Sequence, residues 1–159
     1  MTKTSIFRLI ISIIICQAAG VIGSFFTAPS IPGWYASLNK PGITPPNWIF
    51  APVWTALFLM MGISLFLVWQ KSAVLKLNSW KALFVFSVQI ILNILWSIIF
   101  FGLHSPAIAF FEILFLWTAI LLTVIQFKKI SYASAVLLIP YLLWVSFASL
   151  LNFSIWRIN

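Results

Sequence analysis

The side chains that cost free energy in an apolar setting are few in this sequence, and their spacing is regular. Gln89, Asn93 and Ser97 recur every fourth residue, with Trp96 and Phe100 on the same side of a helix. Tyr141, Trp144, Ala148 and Asn152 follow a second helical stripe, and Phe50, Trp54 and Phe58 a third. Buried amides of this kind either bond a neighbouring helix or orient a ligand. Gln89 and Asn152 are read as interhelical bonds. Asn93, Trp54, Trp96 and Trp144 are read as the wall of a pocket for a flat, largely apolar molecule.

Other chemistry is excluded by what is missing. Glu112 is the only acid, His104 the only histidine and Cys16 the only cysteine. With no Asp there can be no Ser/His/Asp arrangement, and three potential ligands at different depths make no metal site. No catalytic residue and no metal ligand is assigned, and no cofactor is required. Glu112, about two turns into its helix, either carries a proton in coupled export or lies hydrogen-bonded at a helix contact. With no cation in the same span, the contact is the better reading. His104 could in principle ligate a haem, but the run His104-Ser105-Pro106 reads as an interfacial turn. Cys16 cannot form an intramolecular disulfide.

The elements that must position these residues are membrane helices. Hydrophobic residues make up 64% of the 159, charged residues 6%, and mean hydropathy is +1.16. So little polar surface cannot coat a soluble globule. Five stretches are long enough to span: Ile6–Phe26, Trp48–Gln70, Ala82–Leu103, Pro106–Phe127 and Ala133–Trp156. Continuous apolarity without alternation selects helices over a barrel. The expected fold is therefore an all-α, five-helix transmembrane bundle forming a single domain over residues 1–159. No internal repeat suggests an inverted-repeat transporter. The first span is too long for a signal peptide and is read as retained.

The net charge of +8 does not point to nucleic acid, because the basic residues sit at span ends and not on one face. Lys3, Arg8, Lys71, Lys76, Lys81, Lys128 and Lys129 gather on one side of the membrane, against Lys40 and Arg157 on the other. This bias predicts a cell-membrane protein with its N-terminus inside and its C-terminus outside. Trp69, Trp80 and Trp156 fall at span boundaries and read as an interfacial belt. Ala19, Gly20, Gly23 and Ser24 form a small-residue face on the first helix, for a neighbouring helix or a second protomer. The connection Thr27–Asn47 is rich in proline yet holds Ile31, Trp34, Tyr35, Leu38 and Ile43. It is expected to form a structured lid, broken by its prolines, with a short helix over Trp34–Asn39.

Four strings in order carry a family likeness: WYASLNKPGITPPNWIFAPVWTALF (34–58), LNILWSIIFF (92–101), EILFLW (112–117) and IPYLLWVSFASLLN (139–152). On these the chain resembles the TspO/MBR family of tryptophan-rich sensory and translocator proteins over nearly its whole length. The resemblance implies a membrane receptor, sensor or carrier, often a homodimer in membrane lipid. It implies a pocket beneath the first loop for protoporphyrin IX, haem and similar flat ligands. Carried over by position, the ligand-binding residues would be Tyr35, Trp48, Trp54, Phe58, Asn93, Trp96, Ser97, Trp144, Phe147 and Ala148. Light- and oxygen-dependent porphyrin degradation, with Trp48, Trp54 and Trp144 as redox partners, is the enzymatic alternative. Proton-coupled export through Glu112 is a third reading. The likeness does not extend to the cholesterol-recognition pattern of animal members, since Leu150–Arg157 has Phe153 and no Tyr.

Overall fold

A computed structural model describes residues 3–159. Five helices long and apolar enough to cross a membrane account for nearly all of them. They are α1 (Lys3–Ser30), α2 (Asn47–Leu75), α3 (Trp80–Ser97), α4 (Pro106–Ile130) and a fifth span made of α5 (Tyr132–Leu137) and α6 (Ile139–Ile158). In hydrocarbon each backbone N–H and C=O must find its partner within the segment, and the helix does this wherever the apolar run lasts.

The prolines act differently from expectation. Pro29 lies inside α1, and the chain continues through a π turn, Ile31–Tyr35, and on to residue 37 before it becomes irregular. The separate helix expected over Trp34–Asn39 is thus the end of the first helix, and the irregular connection is only residues 38–46. Pro32, at the start of the π turn, has no N–H to leave unpaired, and widening the turn relieves the clash of its ring with the preceding carbonyls. A second π turn, Ile98–Gly102, extends α3. The fifth span breaks at Leu138, two residues before Pro140, which cannot donate to the preceding turn.

Helix ends follow local chemistry. Asn78 Oδ1 accepts from Trp80 N at 3.1 Å and caps α3, while Ser79 makes no side-chain cap bond. Pro106 opens α4. Lys76 (φ 53°) ends α2 in the left-handed conformation, its N–H bonded to the Ser72 carbonyl.

α1 packs on α2 and α3, and α4 sits against α3, α5 and α6. The two glycines of the small α1 face meet residues of the same chain. A Cβ on Gly20 would lie 2.7 Å from the Phe58 ring, and one on Gly23 3.1 Å from Ser97 Oγ. On α2, a Cβ on Gly62 would lie 2.8 Å from Ile13 Cα, so this glycine sets how closely α1 and α2 cross. Interhelical hydrogen bonds lock the register: Arg8 to Gln70 (3.0 Å), Ser64 to the Ser134 carbonyl (2.8 Å) and Trp117 Nε1 to Ser146 Oγ (2.8 Å).

Candidate functional site

Towards the end of the bundle that carries the 38–46 connection, α2 makes almost no close backbone approach to α6. Aromatic rings bridge the gap instead: Phe50 to Trp144 at 6.1 Å and Trp54 to Tyr141 at 6.2 Å, both edge-on. Between them and α1 and α3 lies a cavity of about 390 Å³. That falls within the range of small-molecule pockets, about 300–1,000 Å³.

Eight of the ten residues singled out from sequence line it: Tyr35, Trp54, Phe58, Asn93, Trp96, Ser97, Trp144 and Ala148. Two do not. Trp48 is 73% exposed, because it stands six residues before Trp54 and hence about 120° round the helix from the inward stripe. It belongs with the outward-facing rings. Phe147 packs behind the wall, 5.6 Å from Trp144 and within the apolar cluster around Tyr35 and Phe100. Sequence reasoning missed the contribution of α1, where Gln17, Gly20 and Ser24 form one side, and that of Asn47 and Leu151. The signal was present as the small-residue stripe, read there only as a packing face.

Hydrogen bonds made by the lining side chains hold the wall. Asn93 Nδ2 donates to Tyr141 Oη at 2.9 Å. Trp96 Nε1 donates to Asn152 Oδ1 at 3.1 Å, and Asn152 Nδ2 donates to the Pro106 carbonyl at 2.7 Å. The Trp96 ring also stacks on Phe100 at 5.1 Å. Fixing these rings before a ligand arrives lowers the ordering cost of binding. Asn152 therefore makes the interhelical bonds expected of it. Gln89 does not: it is 1% exposed, and neither amide atom has a partner among the described residues. Its register faces the bundle, but it makes no side-chain hydrogen bond among the described residues.

Val21, Ser24 and Ala28 of α1 and Ala51 and Thr55 of α2 line the cavity and are themselves exposed. The cavity therefore opens sideways between these helices, at the depth of their apolar spans. Gln17 Nε2 donates to the Thr55 carbonyl at 3.2 Å and closes the lower edge of this opening.

The roof is fastened at several points. Tyr35 is buried against Phe101 at 5.7 Å, with Lys40 Nζ 4.9 Å from its ring centre. Trp34 stacks on His104 at 4.4 Å and 14°, and Ser30 Oγ donates to the Phe101 carbonyl at 2.7 Å. Asn39 and Asn159 exchange two hydrogen bonds of 2.9 and 3.0 Å, tying the connection to the end of α6. His104 is thus a turn residue (φ 52°) and a stacking partner. Among the described residues no group of three His, Cys, Asp or Glu could hold a metal. Glu112 is 7% exposed and lies outside the cavity wall, with neither oxygen hydrogen-bonded among the described residues.

The TspO/MBR family model matches residues 12–157. A tryptophan-rich protein TspO of Archaeoglobus fulgidus is 44% identical over 155 residues, covering 98% of this chain and 99% of that one. Its counterpart of the same name in Chlorobaculum tepidum is 42% identical over 158 residues, covering 97% of each. The human translocator protein is 35% identical over 138 residues, covering 87% of this chain and 82% of its own.

Proposed function

The chain belongs to the TspO/MBR family of membrane sensor and translocator proteins, and we propose that it binds a porphyrin or a similarly flat apolar molecule in the cavity between α1, α2, α3 and α6. The observation that carries this reading is an aromatic-walled space that opens sideways at the depth of the spans, where an apolar ligand would already be dissolved. Trp54, Trp96 and Trp144 line it from three different helices, as aromatic surface for a flat ligand to pack against. Burying apolar ligand surface contributes about 25 cal/mol per Å². Asn93 and Ser97 are among the polar side chains of the lining and would orient a ligand's edge. The basic end of the bundle is read as the cytoplasmic one, in a cell membrane.

The test is titration with protoporphyrin IX, read by tryptophan quenching, on the parent chain and on Ala148→Phe. Filling the cavity is expected to weaken binding by about tenfold or more, about 1.4 kcal/mol. Equal affinity in the two would place the ligand elsewhere and end the proposal.

A further inference from the structure

At the other end of the bundle the first turn of α3 and the last turn of α4 line a second, open cavity of about 250 Å³. Lys81 and Lys129, both exposed, line it together with Trp80, Gln126, Ala82 and Ile130. Lys71, Lys76 and Lys128 stand at the same end of the bundle. The only acid in the chain, Glu112, lies seventeen residues before Lys129 on the same helix, about 25 Å away along its axis. These lysines therefore have no internal counter-ion to neutralise them. Among the described residues Lys129 Nζ makes one bond, to Gln126 Oε1 at 3.3 Å. Lys81 makes none among the described residues.

The apolar surroundings say what kind of anion fits. Trp80 is 71% exposed, and its ring lies 6.3 Å from that of Phe84, itself exposed one turn further into the span. The two rings lead from the basic cavity down the outside of the bundle, into the region of lipid tails. An indole at this level anchors at the headgroup boundary, and basic pockets between spans suit phosphorylated headgroups. We propose that this cavity binds the phosphate of an anionic phospholipid, with Lys81 and Lys129 as its cationic contacts and Trp80 and Phe84 against an acyl chain.

The experiment uses the full chain in phosphatidylcholine nanodiscs, titrated with phosphatidylglycerol and read by native mass spectrometry. The parent is compared with Lys81→Gln/Lys129→Gln and with Lys71→Gln/Lys76→Gln, which removes the same charge outside the cavity. Circular dichroism checks that all three are equally helical. The cavity pair is expected to raise the phosphatidylglycerol needed for one retained lipid by about tenfold, and the other pair to leave it within about twofold. An equal loss in both pairs would mean diffuse attraction to a basic surface and would overturn the proposal. So would a parent with no preference over phosphatidylcholine. Millimolar inorganic phosphate is the remaining arm: if it displaces the lipid as readily from the parent as added phosphatidylglycerol does, the site takes free anions and the lipid assignment fails.

Discussion

Trp96 and Asn152 are 56 residues apart in sequence, yet a 3.1 Å hydrogen bond joins the indole of one to the amide of the other. Asn152 uses its own N–H to hold the Pro106 carbonyl, so one amide connects α3, the start of α4 and α6. The bond joins two residues of the cavity wall and fixes the Trp96 ring within it.

Replacing Asn152 with Leu removes both bonds while keeping the bulk. Interhelical hydrogen bonds in membranes average about 0.6 kcal/mol and reach about 1.7. Asn152→Leu is therefore expected to lower unfolding free energy by about 1 kcal/mol and to weaken protoporphyrin binding by loosening Trp96. Unchanged thermal unfolding in detergent together with unchanged quenching would show that the clamp is idle.

Glycines in this fold differ sharply in what surrounds them. At Gly62 an added methyl would meet α1 backbone at 2.8 Å, and backbone cannot rotate away. At Gly33 nothing lies within 4 Å. Gly62→Ala should cost about 1–3 kcal/mol by forcing α1 and α2 apart, and Gly33→Ala should cost far less. Paired melting curves of the two variants check the order, and equal midpoints would contradict the close crossing.

Among the tryptophans, position in the fold separates two that look alike in sequence. Trp54→Ala is expected to reduce protoporphyrin affinity by about tenfold, while Trp48→Ala should leave it within about twofold, because Trp48 faces outward. The same pair bears on photochemistry. Any light-driven oxidation by a bound porphyrin should damage Trp54 and Trp144 before Trp48, which peptide mass spectrometry after illumination resolves.

Glu112 is a buried carboxyl whose oxygens find no partner among the described residues. A side chain of similar size without polar atoms removes that desolvation cost, about 1–3 kcal/mol for an unsatisfied polar group. Glu112→Met should thus unfold at higher temperature than the parent and bind protoporphyrin equally well. Loss of stability would mean that the carboxyl has a partner that matters, and loss of ligand-dependent transport would restore the exporter reading.

Membrane residence, the five helices and the inward stripes on α2, α3 and α6 were legible in the chain itself. They rest on local physics: a run of apolar residues about 20 long must pair its own backbone in lipid, and a helix repeats its face every 3.6 residues. The Trp, Asn and Pro spacings also carried the family. What sequence could not settle was what each inward residue meets. Gln89 and Asn152 both looked like interhelical glue, and among the described residues Asn152 has partners where Gln89 has none. Glycines on α1 fitted either a neighbouring helix or a second protomer, and Gly20 and Gly23 face Phe58 and Ser97 of the same chain. Prolines that should have broken the first helix were absorbed by a π turn. The π turn is a local accommodation, but the partners of Asn152 and of the α1 glycines depend on the distance between helices far apart in sequence, which side-chain packing sets and local propensity does not encode. The cavity itself exists because α2 and α6 stand apart at one end, and that separation belongs to the tertiary structure alone.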